Sequence, residues 1–168
     1  MNIVLGITAG IAAYKTPQLV RLLTKKGHKV KVILTENAKE FVTPLTLSTV
    51  SKNQVLTSFS SPEGDWHSHV ELALWADTML IAPATANTIA KMAHGICDNL
   101  LLATYFSAKA PVFIAPAMDL DMYAHPTVTE NLAKLASYGN HIIPATYGEL
   151  ASGLVGQGRM ADPENIVL

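Results

Sequence analysis

Two short stretches hold most of the side chains that could do chemistry. Met79-Leu-Ile-Ala-Pro-Ala-Thr-Ala-Asn-Thr88 runs from an apolar segment into a turn bearing two threonine hydroxyls and an asparagine amide, and Val112-Phe-Ile-Ala-Pro-Ala-Met118 repeats the apolar run with its Ile-Ala-Pro-Ala corner. A buried strand that opens at its C-terminal end into hydroxyls and backbone amides, followed by a helix, is how open α/β sheets hold a phosphate or another oxygen-rich ligand. Two strand ends built alike read as two walls of one crevice. Thr85, Asn87 and Thr88 also have a plainer reading, as caps of the next helix. A single cap needs only one of them, so three together favour a ligand.

Other candidates are less specific. Gly6-Ile-Thr-Ala-Gly10-Ile has small residues that let backbone amides approach an anion, but it matches neither specific glycine fingerprint and serves equally as a tight strand-to-helix turn. His67 and His69 are two apart and would share a face of an extended segment; with no third or fourth ligand in the pattern, no metal is expected. Asp119 and Asp121 have the same spacing. They could form an acid/base pair or a capping turn; Asp121 is assigned to the turn, and Asp119, directly after Ala117-Met118, lies closer to the crevice. Ser152-Gly-Leu-Val-Gly-Gln-Gly158-Arg159 costs entropy to order, so it reads as a mobile lid or as a disordered tail.

Alternating strands and helices must position these groups. Strands are expected at Asn2–Thr8, Lys29–Thr35, Thr78–Ala82, Pro111–Ala115 and His141–Ile143, with a short one within Gln54–Phe59. Helices are expected over Ile11–Lys26, Glu36–Ser48 with Thr35 as cap, His69–Ala76, Asn87–Phe106 with Gly95 as a weak point, and Pro126–Tyr138. This order implies a single α/β domain over 1–168, a Rossmann-like or flavodoxin-like parallel sheet with helices on both faces. The strand ends at Thr8, Thr35, Ala82 and Ala115 then open on one edge.

Composition narrows the function. The 168 residues are 49% apolar and 15% charged, a low charge content that points to subunit contacts. Lys plus Arg number 12 against 13 Asp plus Glu, so there is no basic field for nucleic acid or an anionic membrane. One cysteine, Cys97, excludes an internal disulfide, and its place in the long helix marks it as a packing residue. Met1-Asn-Ile-Val-Leu-Gly6 reads as a strand rather than a signal peptide, and no apolar run reaches the length of a span, so a cytoplasmic protein is expected.

Taken together, Gly6-Ile-Thr-Ala-Gly-Ile-Ala-Ala-Tyr-Lys15, His69-Val-Glu-Leu-Ala, Ala82-Pro-Ala-Thr-Ala-Asn-Thr-Ile-Ala-Lys91, Gly148-Glu-Leu-Ala-Ser-Gly and Gly158-Arg-Met160 resemble the flavin-containing cysteine decarboxylase family, most closely its coenzyme A branch. The resemblance covers nearly the whole chain. It implies FMN as cofactor, with its phosphate near Thr8, Gly10, Ile11 and Thr35 and the flavin held by Thr85, Ala86, Asn87, Thr88, Ala117 and Met118. It implies homotrimers, sometimes assembled into dodecamers, with flavin at the subunit contact; in the bifunctional members of the family a synthetase domain follows the decarboxylase domain. His69 matches the active-site histidine, and residues 148–160 match a substrate lid. The implied activity is phosphopantothenoylcysteine decarboxylase: the cysteine thiol is oxidised to a thioaldehyde, the carboxylate leaves as CO2, and the enethiol is reduced to 4′-phosphopantetheine. Alternatives are decarboxylation of a peptide C-terminal cysteine and a non-catalytic flavin-binding regulatory subunit.

Two positions depart from the pattern. Pro116-Ala-Met-Asp-Leu-Asp-Met122 has Asp119 where the family has an asparagine that helps hold substrate, and Ala151-Ser152-Gly153 has serine where the coenzyme A branch has the cysteine proposed as final proton donor. The catalytic candidates are therefore His69, Asp119 and Ser152, two of them altered in kind.

Overall fold

The computed structural model describes residues 1–167. Strands β1 (Asn2–Ile7), β2 (Lys29–Leu34), β3 (Val55–Leu56), β4 (Thr78–Ala84), β5 (Val112–Pro116) and β6 (His141–Ile142) form one sheet in the order β3-β2-β1-β4-β5-β6. Every pairing in it is parallel. The connections are α1 (Thr16–Lys25), α2 (Pro44–Ser51), α3 (His69–Trp75), α4 (Ala86–His94), α5 (Leu100–Ser107), α6 (Leu120–Ala124) and α7 (Pro126–Ser137). A separate hairpin of β7 (Thr146–Glu149) and β8 (Val155–Arg159) follows, then α8 (Pro163–Ile166).

The alternation of side chains along β1 feeds both layers. Ile3, Leu5 and Ile7 pack with Leu19 and Leu23 of α1, Leu47 of α2 and Ile166 of α8. Val4 packs on the other face with Ile89 of α4, Leu101 of α5 and Leu135 of α7. β4 is buried along its whole length, as a parallel strand covered on both faces must be. Strand order reverses between β1 and β4, which makes the crevice beyond their C-terminal ends the topological switch point of the sheet. Among the described residues no helix is long and apolar enough to cross a membrane.

Local chemistry moves several boundaries from those expected. The first helix is a 3-10 helix, Ile11–Lys15, continued by α1; Pro17 lies in the first turn of α1, where its missing N–H leaves no bond unmade, and Gly27 ends the helix at φ 86°. The helix expected over Glu36–Ser48 is instead a 3-10 helix, Glu36–Glu40, followed by α2. Thr35 makes no side-chain cap; Thr43 caps α2 and Pro44 starts it. The long helix expected over Asn87–Phe106 is two, because Gly95 adopts φ 74° and Asn99 caps a new start at Leu100. Cys97 consequently falls in the connecting loop and is exposed, not a packing residue.

Gly6, in the middle of β1, is a position of close approach rather than of special backbone. A methyl group there would stand 2.6 Å from Leu101 Cδ1, inside the core between β1 and α5. Gly6→Ala is expected to lower stability by about 1–3 kcal/mol, as overpacking of a filled core does. Urea denaturation should show a lower midpoint with an unchanged slope.

Candidate active site

A cavity of about 730 Å³ opens beyond the C-terminal edge of the sheet at the switch point, within the size range of small-molecule sites. One wall is the turn after β1, Ala9 to Ala12; the second is the start of α4, Thr85 to Asn87; the third is Ala117 to Asp119 after β5. The β7–β8 hairpin closes the remaining side with Glu149 to Ser152 and Gly158 to Met160. Of the residues singled out in the sequence, Gly10, Ile11, Thr85, Ala86, Asn87, Ala117, Met118, Asp119 and Ser152 line this space.

Thr8, Thr35, Thr88 and His69 do not line it. Thr8 is buried at the end of β1, where its hydroxyl donates to the Pro83 carbonyl at 2.6 Å and accepts the Thr85 amide at 3.1 Å. It ties the two central strand ends together. Thr85 caps α4 by accepting the Thr88 amide at 3.3 Å, and its own hydroxyl donates to Thr88 Oγ1. So two of the three polar groups serve the cap, and Asn87, exposed on the wall, is the one left for a ligand. Thr35 sits half-buried beyond β2, its amide bonded to the Ile7 carbonyl at 3.0 Å. His69 begins α3, where Ser68 is the cap; its ring lies edge-on to Phe59 and Trp66, and its Nδ1 is buried with no partner among the described residues.

Asp119 and Ser152 meet. Asp119 caps α6 by accepting the Leu120 amide on Oδ1 at 2.8 Å, and Ser152 donates its hydroxyl to the same oxygen at 3.2 Å. The capping role expected of Asp121 is thus filled by Asp119, while Asp121 is exposed in the first turn. The glycine-rich segment is an ordered hairpin, not a tail, because it closes on that turn. Met118 donates its amide to the Gly158 carbonyl at 3.0 Å, an added Cβ at Gly158 would collide with the Met118 carbonyl, and one at Gly156 would come within 2.9 Å of Leu120 Cβ. Glycines two apart on a strand place both bare faces on one side, which was the available signal for this contact.

Lys15 and Arg159 supply the cavity's cations, and neither stood out as a ligand-binding residue from the sequence. Asp162 holds both, at 3.0 Å from Lys15 Nζ and 3.9 Å from Arg159 Nη2. The donors facing the space are therefore Lys15, Arg159, the Asn87 amide and the first backbone amides of two helix starts, groups that helix geometry leaves without internal partners. Gly10 is open: a Cβ there would meet only Thr85 Cγ2, at 3.7 Å. A second hollow, of about 480 Å³, lies at the opposite sheet edge beside Tyr105, whose hydroxyl is pushed up in pKa by burial against the opposing effect of its bond from Asn140. It contains none of the residues singled out above.

The Flavoprotein family profile matches residues 1–168. The chain belongs to the flavoprotein family. A relative from an unknown prokaryotic organism, named cysteine/cysteine sulfinic acid decarboxylase, is 65% identical over 127 residues, covering 75% of this chain and 35% of the relative. The coenzyme A biosynthesis bifunctional protein CoaBC of Bacillus subtilis (strain 168) is 46% identical over 167 residues, 99% of this chain and 41% of that protein. The flavoprotein chain thus spans less than half the length of these curated relatives. Among solved structures, a PPC decarboxylase mutant complexed with pantothenoylaminoethenethiol superposes with a TM-score of 0.86 at 32% identity, covering 98% and 93% of the two chains. The FMN-dependent cysteine decarboxylase SpaF superposes at 0.82 with 30% identity, covering 94% and 90%.

The Thr8 contact should be measurable in isolation. Thr8→Val removes a donor and an acceptor while keeping the shape; the Pro83 carbonyl retains the Thr8 amide at 3.3 Å, but the Thr85 amide loses its partner, at a cost of about 1–3 kcal/mol. Hydrogen exchange should show the Thr85 amide losing protection ahead of the core of β1.

Proposed function

We propose that this flavoprotein is an FMN-dependent decarboxylase of a cysteine-derived thiol carboxylate, with 4′-phosphopantothenoylcysteine as the substrate that gives 4′-phosphopantetheine. The observation that carries the reading is the cavity at the β1/β4 switch point, lined by Asn87, Lys15, Arg159, Asp119 and Ser152 together with the turn after β1 and the start of α4. Its donor set suits a phosphorylated flavin, and the open space at Gly10 lets the backbone approach such a group. Relatives that match this chain from end to end belong to coenzyme A biosynthesis, and the name of the 65% identical relative adds free cysteine and its sulfinic acid as candidate substrates. Nothing in the site favours a peptide substrate or a regulatory role over these.

When bound, FMN supplies a reversible two-electron sink for the carbon bearing the thiol, which places an acceptor beta to the departing carboxylate. The protein's part is to hold and to exclude water. Lys15, Arg159 and the amides at Ile11 and Ala12 would hold the phosphate, and Ala86, Asn87, Ala117 and Met118 the ring. Leu150, Ala151 and Ser152 cover the substrate side. Ser152 stands where a thiol would serve as proton donor; a hydroxyl is a far weaker acid than a thiol of pKa about 8.5. Anaerobic incubation with 4′-phosphopantothenoylcysteine should yield a product lighter by CO2. A product lighter by CO2 plus two hydrogens would show that the final reduction fails with serine at this position, and no reaction with FMN bound would overturn the substrate.

His69 is assigned to a neighbouring copy's cavity. Among the described residues no histidine lines the cavity of one chain, and beside His69 the large apolar side chains Trp66, Val70 and Leu74 are exposed, at 64%, 47% and 68%. A homo-oligomer, a trimer by the family resemblance, would cover them and bring the ring to the partner's site. Complementation tests this directly. His69→Asn and Asp119→Arg should each be inactive alone, and co-refolded at equal amounts they should regain activity in roughly a quarter of sites, the random-mixing value for a site shared by two subunits. Failure to regain any would place His69 and Asp119 in the same chain's site.

A further inference from the structure

We propose that Asp119, braced by Ser152, selects for a protonated amine on the substrate's Cα, so that this crevice decarboxylates free L-cysteine in addition to amide-linked cysteine; the inference rests on the decarboxylase reading above. Both hydrogen bonds that the Asp119 carboxylate receives go to Oδ1, from the Leu120 amide and from the Ser152 hydroxyl. Among the described residues no donor reaches Oδ2. The carboxylate is therefore held by two bonds on one oxygen, the other oxygen is left uncommitted, and the residue lines the cavity. An asparagine at this place offers one acceptor and one donor, which suits a neutral amide N–H beside a carboxylate. An aspartate offers acceptors only. Next to amide-linked cysteine its charge opposes that of the substrate carboxylate, whereas a free amino acid brings an ammonium on the same carbon, and the pair becomes a charge-assisted hydrogen bond.

The reaction is balanced without a further oxidant. The Cα–carboxylate bond breaks, CO2 leaves, and a solvent proton ends on Cα. Bound FMN would supply a reversible two-electron acceptor, so the net reaction consumes no oxidant or reductant. L-Cysteine plus a proton becomes cysteamine plus CO2. Substrate charge changes from zwitterion to cation, so Asp119 holds the product side of the reaction at least as well as the reactant.

Asp119→Asn is the informative variant, because asparagine keeps the α6 cap. With FMN content checked by absorbance, kcat/KM is measured anaerobically for L-cysteine and for 4′-phosphopantothenoylcysteine. The wild type should release CO2 from both, and the ratio of the first value to the second should fall on the order of 10-fold or more in the variant, the difference between charge-assisted and neutral hydrogen bonds. Calorimetry supplies a readout apart from turnover: S-methyl-L-cysteine should bind the wild type more tightly than its N-acetyl derivative, and Asp119→Asn should abolish that preference. Turnover of 4′-phosphopantothenoylcysteine with none of L-cysteine, or a ratio and preference unchanged in the variant, overturns the inference while leaving the decarboxylase standing. Release of CO2 from neither substrate removes the decarboxylase reading and the inference with it.

Discussion

One buried hydroxyl joins the two strands on which the site is built. Parallel strands β1 and β4 run side by side only as far as Gly6 and Ile81, and beyond that their chains must diverge towards α1 on one face and α4 on the other. Thr8 bridges the point of divergence by bonding to both the Pro83 carbonyl and the Thr85 amide. A bond of this kind adds only about 1 kcal/mol when made, but a buried carbonyl or amide left unmade costs more. The switch-point crevice therefore has a fixed width. Asn87 and the first amides of α4 keep their place relative to Gly10 and Ile11 because the residue between them is fastened to both sides.

The other half of the site is held by backbone rather than by side chains. Gly156 and Gly158 let β8 lie directly against Met118 and Leu120, closer than any side chain would permit. The wall after β5 and the hairpin are thus one packed unit, stiffened by the Met118 amide on the Gly158 carbonyl. At the tip, Gly153 takes φ 85° and donates its amide to the Leu150 carbonyl, which turns Ser152 back towards Asp119. The Asp119 carboxylate consequently joins a helix cap, the hairpin tip and the cavity wall in a single group.

Much of this was readable from the sequence where a local rule acted alone. The parallel sheet, the crevice at the ends of β1, β4 and β5, and the hydrophobic period of each strand follow from patterning over a few residues. Gly95 was visible as a weak point, yet its effect depended on Asn99 being able to cap a second start, a cooperation between two positions that periodicity does not report. Cys97 looked internal only because the helix was read through it. Thr8 shows what a local pattern omits: a hydroxyl at a strand end beside a glycine turn has the signature of a ligand contact, and only the neighbouring strand, distant in sequence, shows that it also ties β1 to the Pro83 carbonyl and the Thr85 amide. His69 lies beside an exposed apolar surface, and no pattern within one chain states what such a surface meets.

Asp119 and Ser152 were noticed as two separate oddities; their contact makes them one. Residues that share a hydrogen bond do not vary independently in their effects. A thiol at the position of Ser152 would face the Asp119 carboxylate, and a nearby negative charge raises a thiol's pKa, making it a poorer acid at the moment a proton is needed. Asparagine beside cysteine avoids that conflict. Serine beside aspartate avoids it too, because the hydroxyl does not ionise and can donate fully to the carboxylate. Of the four combinations, aspartate with cysteine is the one in which each residue impairs the other, and asparagine with serine lacks both the acid and the charge. The pair found here is therefore an internally consistent alternative, one that exchanges an acidic lid for a fixed anion on the cavity wall.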